Sequence, residues 1–167
     1  AAHLLDALKN GFPGGSVFFC VVDPGVGTAR GAVVLEADRC CYVGPDNGLL
    51  SVVAARAADA RVSTIAWRPE RLSKSFHGRD LFAPVAAMLA RSDRTTGKLK
   101  KAALTVALGA SDVGEVIYVG HFGNLAADRI LAGRNVRWRS CPSRDASGVH
   151  RAARGRVRLR GLVDESG

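Results

Sequence analysis

The sequence predicts an α/β fold, and three observations carry that prediction. The run Val17-Phe18-Phe19-Cys20-Val21-Val22 is apolar and partly β-branched, and it closes on Asp23-Pro24-Gly25, as a strand buried on both faces does. Stretches with helical spacing alternate with short strand-like runs through the first half of the chain. The stretch from Asp80 to Arg91 has the composition of a helix and opens on a carboxylate, which suits the positive end of the helix dipole.

Taken in order, Ala2 to Leu8 reads as a helix that stops at Asn10, Gly11 and Pro13. Val17 to Val22 follows as a strand in the middle of a sheet, and Ala32 to Leu35 and Cys41 to Val43 as two shorter strands. The turn Pro45-Asp46-Asn47-Gly48 leads into helix-forming residues from Leu49 to Ala58. Val62 to Trp67 is expected as a strand and Asp80 to Arg91 as a helix. Ser92 to Gly97 reads as a polar linker, with strand-like runs beyond it at Leu104 to Leu108 and Val116 to Val119. These features divide the chain into residues 1–95, an α/β part; residues 96–133, a linker and the start of a β-rich part; and residues 134–167, an atypical tail.

With 167 residues, 47% of them hydrophobic and 23% charged, fibrous, collagenous and disordered classes are excluded. No apolar run reaches the roughly 18 residues of a membrane span, so no membrane partner is expected. The net charge of +9 is unevenly spread: residues 1–133 carry 15 basic and 12 acidic side chains, whereas residues 134–167 carry nine arginines and three acids. A nearly balanced body gives no reason to expect a nucleic-acid partner. Cys20, Cys40, Cys41 and Cys141 show no disulfide or metal spacing, so a reducing, cytoplasmic setting without a bound metal is expected. No signal peptide is visible at the start.

Four segments hold residues with chemistry. Asp23-Pro24-Gly25-Val26-Gly27-Thr28-Ala29-Arg30 is rich in glycine, yet it precedes a strand and lacks the third glycine or the Gly-Lys-Ser/Thr of a phosphate loop. Nucleotide-phosphate binding is therefore rejected. A plain turn between strands would explain the glycines, though such a turn requires neither Asp23 at the end of a strand nor Arg30 close after it. Ser75-Phe76-His77-Gly78-Arg79-Asp80 precedes a helix and, alone, passes as a capped helix start. Tyr42-Val43-Gly44-Pro45-Asp46-Asn47-Gly48-Leu49-Leu50 and Val116-Ile117-Tyr118-Val119-Gly120-His121-Phe122-Gly123-Asn124-Leu125 each pass as a strand ending in a turn.

Together, VVDPGVGTAR, YVGPDNGLL, FHGRDLFAPVAAMLA and VIYVGHFGNL strongly resemble the S-adenosyl-L-methionine (SAM) hydrolase family, the SAM hydroxide adenosyltransferases, relatives of the fluorinase and chlorinase enzymes. The resemblance spans about residues 1–131 and implies an N-terminal α/β domain with a mixed central sheet flanked by helices, followed by the start of a β-rich C-terminal domain. It also implies a homotrimer whose sites lie between one subunit's N-terminal domain and a neighbour's C-terminal domain. The implied reaction is attack of a water-derived hydroxide on the 5′ carbon of SAM, giving adenosine and methionine. The implied catalytic residues are Asp23, Arg30 and His77, and the implied substrate contacts are Phe122, Asn124, Thr28, Asp46 and Asn47. SAM is substrate, and no cofactor is implied.

Two other readings stand beside this one: a catalytically dead remnant or adenosine/SAM-binding module of the family, and a SAM-dependent halogenase. The halogenating relatives resemble this pattern but carry tyrosines where Asp23 and His77 stand, which favours water over halide. Relative to the family the chain looks truncated at both ends, Gly120 replaces a usual aspartate, and the arginine-rich tail does not resemble the family's barrel. The expectation is that this chain binds ligand while turning it over very slowly or not at all.

Overall fold

The computed structural model describes residues 1–92 and 99–111 and, beyond them, the strands Val116–Val119, Leu125–Ala127, Asn135–Arg139, Ser143–Arg144, His150–Arg151 and Arg154–Arg158. By contacts the chain divides into Ala1–Ala110 and Ser111–Gly167.

In the first unit the order is α1 (Ala2–Lys9), β1 (Val17–Phe19), β2 (Ala32–Ala37), β3 (Cys40–Pro45), α2 (Ser51–Arg56) and β4 (Ala60–Ile65). A π-helical turn (Gly78–Phe82), α3 (Ala83–Ala90) and β5 (Leu99–Ala102) follow. The strands form one mixed sheet in the order β1-β3-β2-β4-β5, with β1 parallel to β3 and the other pairs antiparallel. Period-two alternation along β2 sends Val33, Leu35 and Ala37 to one face and Ala32 and Val34 to the other. The first face packs on Leu49, Leu50 and Val53 from α2 and its approach, with Leu5 of α1 against them. The second packs on Leu81, Phe82, Val85 and Ala86. Helices thus cover both faces of the sheet. The β2–β3 hairpin turns on Asp38 and Arg39, both at positive φ (47° and 68°), the backbone that matches the twist of a two-residue hairpin.

Three local expectations are corrected. The strand at Val17 to Val22 lies at an edge of the sheet rather than in its middle, and Phe19, Val21 and Val22 are exposed. Its apolar character serves Phe18, which stacks on Tyr42 at 4.6 Å between centroids, and Cys20, which is buried. Leu104 to Leu108 is not a strand; Leu99–Ala102, placed by sequence within 96–133, pairs with β4 instead. The segment after it still packs, with Leu104 against the α2-side core and the Val106 carbonyl accepting from Ser51 Oγ. The helix expected to begin at Asp80 begins two residues sooner, as a π-helical turn.

In the second unit the described strands are β6 (Val116–Val119), β7 (Leu125–Ala127), β8 (Asn135–Arg139), β9 (Ser143–Arg144), β10 (His150–Arg151) and β11 (Arg154–Arg158). They pair antiparallel as β6 with β7, β8 with β11 and β9 with β10.

Candidate active site

The site begins where β1 ends. Cys20 continues the ladder by donating its backbone N–H to Val43 O at 2.9 Å, and the chain then leaves the sheet toward Asp23. This exit depends on Gly44 of β3, because a Cβ there would overlap the Cys20 carbonyl oxygen. Asn47 fixes the next step: its Nδ2 donates to Val22 O at 2.9 Å while its Oδ1 accepts from Leu49 N at 3.2 Å.

From Asp23 to Arg30 the chain makes a compact double turn. Val26 N donates to Asp23 O at 3.3 Å, and Thr28 N and Oγ1 both donate to Gly25 O, at 3.2 and 2.7 Å. Thr28 Oγ1 in turn accepts from Arg30 N at 3.4 Å. Gly27 sits at φ +79°, and a Cβ on it would stand 2.7 Å from Lys74 O. This glycine therefore lets the loop lie against the segment that leads to His77.

The double turn brings Arg30 back onto Asp23. Nε of Arg30 donates to Asp23 Oδ1 at 2.8 Å and Nη2 donates to Oδ2, a two-pronged charge-assisted pair. Nη1 donates to Gly31 O at 3.0 Å, fixing the guanidinium plane. His77 arrives from before the π-helical turn, with Nδ1 3.1 Å from Arg30 Nη2. A guanidinium has only donors, so Nδ1 accepts and the ring proton is assigned to Nε2. The Asp23 and Arg30 side chains are 5% and 10% exposed, a pair largely removed from water.

The three residues assigned to catalysis from sequence thus meet in one contiguous cluster. Thr28, Asp46 and Asn47 lie around it, with polar atoms engaged inside the chain. Asp46 is buried and takes up Thr105, accepting from its backbone N–H at 3.0 and 3.1 Å and from its hydroxyl at 2.6 Å. Phe122 and Asn124 lie outside the described residues. Sequence reasoning missed Phe82, whose ring lies under the Arg30 guanidinium, 5.1 Å from Cζ to centroid. The one sequence signal for it was Pro84, a residue that disturbs a helix next door.

Beside the cluster is a shallow groove of about 270 Å³ lined by Val22, Pro24, Asn47, Gly48, Val106 and Leu108. Neither this groove nor a larger one of about 830 Å³, lined by Ala54, Ala55, Val62, Lys101 and Leu104 among others, is lined by Asp23, Arg30 or His77; the smaller one borders the site loop through Val22, Pro24 and Asn47. Among the described residues no group of three or more His, Cys, Asp or Glu side chains is placed to hold a metal ion, and no helix is long and apolar enough to cross a membrane.

The chain is 42% identical over 124 residues to an (R)-S-adenosyl-L-methionine hydrolase of Salinispora arenicola, covering 66% of this chain and 48% of that protein. Similarity to proteins of the same name reaches 37% over 142 residues in Thermus thermophilus, covering 74% of this chain and 54% of the relative. The chain therefore spans about half the length of these curated relatives. An uncharacterized conserved protein from Thermotoga maritima superposes with a TM-score of 0.69 at 36% identity, over 75% of this chain and 53% of that one. The SAM hydroxide adenosyltransferase N-terminal domain model matches residues 1–99, the stretch that contains Asp23, Arg30 and His77. By that match, which extends over more than half of its length, the chain belongs to the SAM hydroxide adenosyltransferase family.

Proposed function

We propose that the protein hydrolyses S-adenosyl-L-methionine to adenosine and L-methionine, with Asp23, Arg30 and His77 preparing the attacking water. One observation carries the proposal: a single guanidinium, largely withdrawn from solvent, is forked by Asp23 and contacted by His77 Nδ1 at 3.1 Å. The names of the relatives support the substrate.

The residues divide the work as follows. Water attacks the 5′ carbon, the carbon–sulfur bond breaks with its electrons passing to sulfur, and the sulfonium leaves as a neutral thioether. The one proton to be removed is that of the water, and no acid is needed for the leaving group. Each Asp23 oxygen accepts one bond from Arg30 and keeps a lone pair for the water proton. The Arg30 cation and the Nε2–H of His77 favour the oxygen as it gains hydroxide character. His77 therefore holds the water by donation, since its Nδ1 is occupied. Arg30 is pre-oriented by three acceptors, so its help needs little reorganisation during reaction.

Thr28, Asp46 and Asn47 serve the site in this proposal by shaping the loop and its floor, and Phe122 and Asn124 are assigned to the adenine side. Neither metal nor cofactor is invoked, because a sulfonium leaves without Lewis-acid help; adenosine release should persist in a chelator. A homotrimer in the cytoplasm completes the proposal. The exposed Phe19, Val21, Val22 and Phe76 support a neighbouring subunit over the site, since these large apolar side chains lie on the segments that lead to Asp23 and His77. Light scattering on the purified chain tests the assembly.

The functional test is incubation with SAM followed by chromatography of the products. Adenosine and methionine in equal amounts support the proposal. Ligand binding without any adenosine would leave the binding-module reading, and halide-dependent formation of a 5′-halogenated nucleoside would favour the halogenase.

A further inference from the structure

Arg30 is held from one side by a contact that the three polar partners do not explain. Its Cζ lies 5.1 Å from the centroid of Phe82, a ring with no exposure to solvent. Phe82 closes the π-helical turn Gly78–Phe82, and His77 immediately precedes that turn. The turn is defined by Ala83 N–H donating to Gly78 O, five residues back instead of four.

This extra residue has a geometric consequence. In a regular α-helix, at about 100° per residue, positions five apart are rotated by about 140° and address different neighbours. His77 and Phe82 are five apart, yet both reach one guanidinium, the first at Nη2 and the second across its face. Pro84 supplies the local cause. Within the helical stretch it has no N–H to donate, and in a regular α-helix a proline ring there would crowd the carbonyl of Asp80 four residues earlier, a clash that the wider bond of the preceding turn avoids.

We propose that Phe82 is a positioning residue for the Arg30 guanidinium and that the π-helical turn set by Pro84 presents it there together with His77. The ring quadrupole attracts the cation, and its apolar face denies water to that side of it. Arg30 then stays in the plane that forks Asp23 and reaches His77. The consequence for turnover rests on the hydrolase reading, whereas the hold on Arg30 is a property of the chain itself.

The test uses the full chain and two readouts. In proton–nitrogen NMR the Arg30 Nε–H of the unaltered chain should be displaced by the ring current and exchange slowly with water. Phe82→Leu keeps apolar bulk but has no quadrupole. It should move that resonance and speed its exchange about tenfold, in line with loss of a desolvated cation–π contact. Pro84→Ala restores the N–H and lets the turn tighten, so it should shift the same resonance with the ring still present. Val85→Ala removes packing from the same core cluster and should lower stability while leaving the Arg30 signal in place. In an adenosine-release assay Phe82→Leu should lower kcat about tenfold with KM within about twofold.

An Arg30 signal unchanged in Phe82→Leu overturns the positioning role, as does an equal displacement in Val85→Ala. An unchanged signal in Pro84→Ala overturns the role of the π-helical turn. A displaced Arg30 signal in a chain that releases no adenosine would count against the hydrolase reading and support this one.

Discussion

Replacing Arg30 with methionine keeps an apolar stem of similar reach and removes the guanidinium, leaving Asp23 without its partner. The size of the effect depends on how much water reaches the carboxylate. An ion pair in solvent contributes about 0–1 kcal/mol, whereas removing one member of a buried pair costs about 3–5 kcal/mol because a charge is left behind. Asp23 is 5% exposed and Arg30 10%, which places this pair in the second class. The site loop lies at the sheet edge, where Val22 and Pro24 meet solvent, so the lower end of that range applies, about 3 kcal/mol. In a unit of this size that loss lowers the thermal midpoint by about 12–20 °C. The assay is circular dichroism during heating and during urea titration. The double variant Asp23→Asn, Arg30→Met leaves no unpaired charge and should recover at least half of the loss. An Arg30→Met chain within about 1 kcal/mol of the parent would refute the buried-pair account. A double variant as unstable as the single one would do the same.

Further expectations follow from neighbouring contacts. Gly27→Ala puts a Cβ 2.7 Å from Lys74 O on a residue at φ +79°, and should cost about 1–3 kcal/mol in urea unfolding; a neutral outcome would mean the loop yields freely. Gly44→Ala would drive a methyl into the Cys20 carbonyl and part β1 from β3, so a loss of about 2–3 kcal/mol is expected, with unchanged stability the contrary result. The Asp80 carboxyl is held below the usual carboxylate range by hydrogen bonds from Arg79 and from Ser73 N–H. A depressed value means that its contribution is complete above the unfolded value near pH 4 and fades as pH falls through the folded one. Asp80→Asn should therefore flatten the acid limb of the stability profile and leave its slope between about pH 5 and 8 unchanged; an altered slope there would contradict the assignment. Burial pushes the Cys20 thiol up to about 12, so iodoacetamide should leave it unmodified near neutral pH until the chain unfolds, and rapid labelling of the folded chain would show the β1 end to be open.

The parts of the fold legible from sequence are those where local pattern and tertiary use agree. β2 and β3 were readable because Ala32 to Ala37 feeds both faces of the sheet, so that nearly every position is apolar. The edge position of β1 was not readable: an apolar run states that side chains avoid water somewhere, and Phe19, Val21 and Val22 stay exposed in the unit while Phe18 and Cys20 are covered. β5 hid behind Lys100 and Lys101, charges that suit an edge strand and make it resemble a linker. At the site, the identities of Asp23, Arg30 and His77 could be drawn from motif order. Their geometry could not, because Arg30 meets His77 across 47 residues, where the close approach at Gly27 lays the loop against the segment that leads to His77. Asp46 and Asn47 illustrate the converse, as polar residues in a motif whose hydrogen bonds brace Thr105 and Val22.

The most direct test of the central claim, that the Asp23–Arg30–His77 cluster delivers a water to the 5′ carbon, is an isotope measurement. The chain in molar excess is incubated with S-adenosyl-L-methionine in heavy-oxygen water, and the adenosine formed is weighed by mass spectrometry beside samples carrying His77→Ala or Asp23→Asn. The account predicts adenosine with one heavy oxygen at the 5′ position, methionine without label, and near loss of both products in the two variants. Unlabelled adenosine, the same yield from the variants, or no adenosine above a protein-free control would contradict it.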